Sequence, residues 1–259
     1  MIGGGQVMEA TAKYRPNIEV VSDAEELASR AVHLFVSTAR EALESRGTFH
    51  VALSGGQTPK LAFERLAASP AAQALHWQHI HVYWVDERYV PADSPQSNYR
   101  LAAEALLKKV PIPPDNIHRI PTEHEDICTA ARSYETILRN AFGLDEDGVP
   151  EFDLIVLGMG ADGHTASLLP NCFAPFDTDD LACVVYVMDG RLNRITLTHP
   201  VLRAAKRLAV LVSGTEKAET LRKVLTGEPD EVRYPIHILW PVLGKVIWLV
   251  DRDAAAAIP

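Results

Sequence analysis

The stretch DLIVLGMGADGHTASLLP, residues 153–170, decides the reading of this chain. Residues 154–157 are apolar at every position, the pattern of a strand buried on both faces of a parallel sheet. The run then enters a turn carrying Gly158, Gly160 and Gly163, with Asp162 and His164 two residues apart. Open α/β sheets bind their ligands in loops of this kind, at the carboxyl ends of strands.

On either side the pattern alternates. Residues 23–46 read as an amphipathic helix, with Ser22 or Asp23 as cap and Gly47 as stop. Residues 49–54 and 80–86 read as strands, and Pro59 is expected at the first position of a helix between them. Helices are expected over 98–109, most of 125–142 and 215–225, with a turn at 111–115. Further strands are expected at 183–188, 194–198, 208–213 and 246–251. Such alternation predicts a three-layer, Rossmann-like α/β fold, a mainly parallel β-sheet flanked by helices. Residues 1–14 read as a loose leader and 15–259 as one domain.

Composition narrows the function. The 259 residues hold 25 Lys and Arg against 34 Asp and Glu, a formal charge of −9. That balance argues against nucleic acid as partner, which needs a basic face, but not against a small anion held by a few local cations. No apolar run reaches the roughly 18 residues of a membrane span, and the N-terminus lacks a signal pattern. Cys128, Cys172 and Cys183 are sparse and without C-x-x-C spacing, so reduced thiols in a cytoplasmic protein are expected. No heptad seam appears, and a monomer is the expectation.

Four places carry candidate chemistry. The first is Ser54-Gly55-Gly56-Gln57-Thr58-Pro59, between strand and helix. Adjacent glycines and a helix N-terminus suit an anion, and Thr58 can cap the helix or donate to phosphate; taken alone, a tight turn with an ordinary cap is the plainer account of the segment. It is neither a Walker loop nor a serine-nucleophile elbow. The second is Asp86-Glu87-Arg88. Neighbours on a strand face opposite ways, so Asp86 and Glu87 are not expected to pair, while Arg88 can clamp an anion or merely end a strand in solvent. The loop from Tyr89 to Asn98 can cover a ligand or simply turn.

The third is the glycine loop itself, which contains a literal G-x-G-x-x-G. A dinucleotide reading is rejected, because Asp162 would face the pyrophosphate and no strand-end acid follows about 20 residues on. His164 can instead exchange a proton near neutrality, with Asp162 orienting it; a helix cap and a structural histidine are the plainer alternative. The fourth comprises Arg194 and Lys217, each beside a strand end. His76, His79 and His81 lack metal-ligand spacing and are expected at the surface or a strand edge.

In this order, LSGGQTP, VDERYVPADSPQSNYR, DLIVLGMGADGHTASLLP, RITLT and SGTEKAETL resemble the 6-phosphogluconolactonase family, from about residue 19 to about 253. The fold of that family is shared with glucosamine-6-phosphate deaminase/isomerase. The deaminase pattern places a glutamate five residues after the loop histidine, where this chain has Leu169. The resemblance implies hydrolysis of 6-phospho-D-glucono-1,5-lactone in the pentose phosphate pathway, with no cofactor and no metal. It implies His164 as general base and Asp162 as its orienting partner, with Glu87 left open as an alternative partner. Gly55, Gly56, Thr58, Arg88 and Lys217 would hold the phosphate, and Arg194 the phosphate or the sugar acid. Asn98 would hold the loop or a hydroxyl, and Asp86, Glu87 and Gly160 complete the expected contacts. A deaminase/isomerase and a non-catalytic sugar-phosphate-binding regulator are the competing readings.

Overall fold

A computed structural model describes residues 16–172, 180–188 and 191–258; the expected leader at 1–14 lies outside them. The apolar runs become strands of one parallel sheet. These are β1 (Asn17–Val21), β2 (Phe49–Leu53), β3 (Ile80–Trp84), β5 (Ile117–His118), β6 (Leu154–Gly158), β9 (Leu208–Val212) and β10 (Val246–Asp251). Their spatial order is β1-β10-β9-β6-β2-β3-β5. β9 shows why the runs are unbroken: all five of its residues are buried. The sequence reading did not anticipate β1, whose pattern is partly exposed at the sheet edge.

Helix α1 (Ala24–Arg46) starts where Asp23 accepts from the Glu26 N–H and stops at Gly47, whose φ of 78° suits glycine. It packs on α2 (Gln57–Ala68), and both lie over β6, β9 and β10 or their neighbours. Phe35 of α1 meets Phe49 edge-on at 5.3 Å and stacks with Trp77 at 6.2 Å, joining helix to sheet. Two details of the α2 expectation change. The helix begins two residues before Pro59, and its cap position is Gly56, with no side-chain cap from Thr58.

The expected strand at 80–86 divides. After β3 the chain leaves the large sheet through Val85 and forms β4 (Asp86–Arg88), which pairs antiparallel with β8 (Arg194–Leu197), itself paired with β7 (Ala182–Val185). This three-stranded sheet was not foreseen, because its short strands carry no mark of their partner. The remaining helices are α3 (Pro70–Gln73), α4 (Asn98–Ala105), α5 (Ile127–Phe142), α6 (His199–Ala204), α7 (Ala218–Thr226) and α8 (Arg252–Ala255). No helix among the described residues is long and apolar enough to cross a membrane.

At the amino ends of the central strands, polar groups lock the layers. Buried Asp153 accepts from Arg46 Nη2 at 2.5 Å, from Lys206 Nζ at 2.9 Å and from the His50 N–H at 2.9 Å. Beside it runs a cross-strand ladder: His50 stacks on His81 at 4.9 Å, and His81 on His118 at 5.3 Å. His81 Nδ1 and His118 Nε2 share a hydrogen bond of 3.0 Å.

Burial, with the charge of neighbouring His81, lowers both His50 and His118 to about 4. The unfolded chain therefore binds protons that the folded chain refuses between about 6.5 and about 4. Stability contributed here is full above that interval and falls as pH drops through it. We expect His118→Gln to flatten the fall of the denaturant midpoint across the same interval. A midpoint that drops as steeply in the variant as in the wild type would remove the ladder as the cause.

Candidate active site

The strand order reverses direction between β2 and β6, and the loops leaving their carboxyl ends diverge around a cleft of about 190 Å³. Ser54 stays tied to the sheet by its N–H, which donates to Val156 O at 3.1 Å. Gly55 and Gly56 then carry the chain over the strand end into α2, with Gly56 at φ 105°. At Gly55 only a hydrogen fits: a Cβ would lie 1.8 Å from Asn98 Oδ1. The uncapped first turn of α2 faces the cleft through Gln57, Thr58 and Pro59.

The opposite wall comes from β4 and β8. Asp86, 4% exposed, accepts from Ser167 Oγ at 2.6 Å, and the Asn98 amide donates to its backbone oxygen at 2.9 Å. Arg194 lies 3.9 Å from the same carboxylate and donates to Ser167 Oγ at 3.4 Å. Arg88 pairs in register with Arg194 and donates to Gln96 O at 2.7 Å. From the far side, Lys217 enters on the 3-10 turn Thr215–Lys217 after β9, where the buried carboxylate of Asp251 accepts from the Gly214 N–H at 3.2 Å. Burial lowers the pKa of both Arg194 and Lys217, with Asp86 and Glu216 respectively opposing it. Three cations thus share the cleft with one buried carboxylate. Ser54 Oγ, Asn98 Oδ1 and Nε of Arg88 and Arg194 are buried without hydrogen-bond partners among the described residues. Each such group costs about 1–3 kcal/mol unless a ligand satisfies it.

The glycine loop closes the cleft. Thr165 Oγ1 donates to Gly158 O at 2.9 Å, and the Gly160 N–H to His164 O at 2.9 Å. His164 Nδ1 lies 2.6 Å from Asp162 Oδ1, so Asp162 rather than Glu87 is the partner of the ring. A Cβ on Gly160 would meet His164 Nδ1 at 2.1 Å and Asp162 Oδ1 at 2.7 Å. Ala166, on the cleft wall, takes a left-handed φ of 52°, a strained conformation for a residue with a Cβ. The loop is followed by a turn bridged between Thr165 and Leu168, not by the helix a dinucleotide site needs.

Burial raises the Asp162 pKa, but the His164 ring bond and charge outweigh it and hold the group down to about 2. An ionised carboxylate only accepts, so Nδ1 carries the proton and Nε2 of the neutral ring is left as a base. Gly55, Gly56, Thr58, Asp86, Arg88, Asn98, Gly160, His164, Arg194 and Lys217 all line the cleft. Glu87 does not: it is 2% exposed and turned away, accepting from the Arg88 N–H at 2.8 Å and the Asn98 N–H at 2.7 Å. Burial raises its pKa, and these donors act against the shift. The expectation that Glu87 touches a ligand is therefore corrected by strand alternation, which turns it behind the wall that Asp86 faces.

The sequence reading also missed the supports of the loop. Thr220 Oγ1 donates to Ala161 O at 2.6 Å, and the Ile236 N–H to Gly163 O at 3.1 Å. The Tyr234 ring packs so closely that a Cβ on Gly163 would lie 2.7 Å from it. No local signal marks these residues. Ser167 sits inside the decisive stretch, but its role depends on Asp86, 81 residues away. No group of three His, Cys, Asp or Glu that could hold a metal gathers among the described residues.

The chain matches the family model of glucosamine-6-phosphate isomerases/6-phosphogluconolactonase over residues 22–248. It is 40% identical to a 6-phosphogluconolactonase of Synechocystis sp., over 92% of this chain and 97% of that one. It is 38% identical to one of Nostoc sp., over 93% and 98%. Among solved structures, 6-phosphogluconolactonase of Thermotoga maritima superposes with a TM-score of 0.78 at 31% identity, covering 92% of this chain and 100% of that one.

The geometry of the dyad has a spectroscopic consequence. In long-range proton–nitrogen spectra under mildly alkaline conditions, His164 should show a protonated Nδ1 and a bare Nε2. Asp162→Asn should abolish that preference. The opposite tautomer in the wild type would show that Asp162 does not fix the ring.

Proposed function

The chain belongs to the family of glucosamine-6-phosphate isomerases and 6-phosphogluconolactonases, and on that premise we propose that it hydrolyses 6-phospho-D-glucono-1,5-lactone to 6-phospho-D-gluconate. The observation that carries this reading is the His164–Asp162 dyad, its Nε2 left as a base in a cleft lined by Arg88, Arg194 and Lys217. Those cations suit a phosphate dianion, and the first turn of α2 adds backbone donors and a favourable helix dipole.

Nε2 takes a proton from water as the water oxygen attacks the lactone carbonyl carbon. The carbonyl electron pair moves to oxygen, where N–H groups of the glycine loops stabilise the charge. Collapse of the tetrahedral intermediate breaks the bond from the carbonyl carbon to the ring oxygen. His164 returns its proton to that oxygen, which becomes a hydroxyl, and the new carboxylic acid ionises to solvent. Asp162 keeps the ring oriented and stabilises its charged form. A lactone is an activated ester, so the chemistry calls for neither a Lewis acid nor a redox carrier.

Leu169 supports the lactonase over the deaminase reading. It is 7% exposed and apolar at the position where the deaminase pattern carries its ring-opening glutamate. The intact dyad supports an enzyme over a binding-only regulator. The proposal includes a monomer acting in the cytoplasm on a free sugar phosphate.

The test is lactone hydrolysis above the spontaneous rate, with the substrate generated by glucose-6-phosphate dehydrogenase. His164→Ala should lower kcat about 10²–10⁴-fold, the range for loss of a general base. Gly160→Ala should lower it by a similar order, because the added methyl occupies the space of the dyad. Lys217→Ala and Arg88→Ala should weaken the preference for the phosphorylated lactone over its unphosphorylated analogue. A well-folded wild type without acceleration would sink the lactonase reading, and full activity in His164→Ala would sink the mechanism.

A further inference from the structure

Glu87 is the one charged residue of the wall that faces away from the cleft, yet it is nearly inaccessible to solvent. Its carboxylate meets four donors. Oε1 accepts from the Arg88 N–H at 2.8 Å and the Asn98 N–H at 2.7 Å. Oε2 accepts from Ser97 Oγ at 2.9 Å and the Tyr99 N–H at 2.8 Å. Asn98 and Tyr99 open helix α4, whose first amides have no partner within the helix. The Ser97 hydroxyl, while donating to Glu87, accepts from the Arg100 N–H at 3.1 Å and caps the same helix. One buried carboxylate therefore supplies the anion that the start of α4 favours.

The same four bonds join the two ends of a loop. Arg88 precedes residues 89–97 and Asn98 follows them, so Glu87 clamps entry and exit together. The two side chains that flank this clamp both reach the cleft. Arg88 extends its guanidinium to Gln96 O, and Asn98 lays its amide against Gly55 with Oδ1 unpartnered. Arg88 is also held by its pairing with Arg194 and Asn98 by the Asp86 backbone oxygen, and the clamp joins the two backbones that carry them.

We propose that Glu87 is a positioning residue: its carboxylate closes the 89–97 loop on the start of α4 and so holds Arg88 and Asn98 where substrate binds, without touching substrate itself. The inference rests on the lactonase reading for its substrate, and on the geometry alone for its anion. A carboxylate is required because four donors need an acceptor on both oxygens. Glutamine offers one acceptor and turns an NH₂ group toward two donors.

The test compares Glu87→Gln, Glu87→Asp and Ser97→Ala with the wild type, with folding checked by circular dichroism. Turnover of 6-phosphogluconolactone is measured together with calorimetric binding of inorganic phosphate. Glu87→Gln should raise KM and weaken phosphate binding about tenfold or more, with kcat within about threefold, the signature of lost binding in ground and transition state alike. Ser97→Ala, which removes one of the four donors, should show the same split at about two- to fivefold. Glu87→Asp keeps the charge and should recover part of the affinity. A folded Glu87→Gln with unchanged KM and phosphate affinity overturns the proposal, as does a loss confined to kcat. If Glu87→Gln does not fold, unchanged KM in both other variants overturns it. A wild type that binds phosphate but hydrolyses no lactone defeats the lactonase reading, and the clamp is then judged on phosphate affinity alone.

Discussion

The parallel pairing of β2 with β6 is the constraint on which the rest depends. Val51, Ala52 and Leu53 register against Leu154, Ile155 and Val156, two apolar runs about a hundred residues apart. From β2 the chain winds outward through β3 to β5; from β6 it winds the other way through β9 and β10. Loops leaving the two strands must therefore diverge, and their divergence is the cleft. Asp153, just before β6, locks the opposite end by accepting from Arg46, Lys206 and the His50 backbone. Buried charge of this kind is costly to leave unpaired, so it holds register as well as layers.

Around the cleft the electrostatic work is divided between carboxylates that meet the ligand space and carboxylates that do not. Asp86 faces inward, partly balancing Arg194, while Asp162 faces the imidazole. Glu87 and Asp251 lie outside the cleft lining and bind backbone amides of the segments that carry Arg88, Asn98 and Lys217. An acidic chain thus presents a cationic cleft, because what a ligand senses is the nearest groups in a shielded site. Glycines permit the crowding. Gly55 gives its side-chain space to Asn98, and Gly160 gives its own to the dyad.

Much of this was legible from residue order alone. The unbroken apolar runs marked β2, β3, β6, β9 and β10, a cap at Ser22 or Asp23 and a stop at Gly47 bounded α1, and the glycine-rich loops marked the strand ends where the site lies. Strand alternation separated Asp86 from Glu87. It was not legible that the chain turns off the large sheet at Val85 to build a second one, since β4 has three residues and the strand it pairs with, β8, lies about a hundred residues further on. Pro59 was misplaced because a helix N-terminus lacking a side-chain cap leaves no local mark.

Residue order was enough for most of the local states: the apolar runs that become strands, the turns that need glycine, and the residue types that carry protons and charge. These follow from backbone sterics, side-chain periodicity and intrinsic acidity, all properties of near neighbours. The partners came only with the assembled fold. Asp86 meets Ser167, Thr220 meets Ala161, and Tyr234 bears on Gly163. Periodicity assigns a side chain to a face but carries no information about what packs against that face. The burial of Glu87 behind the cleft wall is that difference at a single residue.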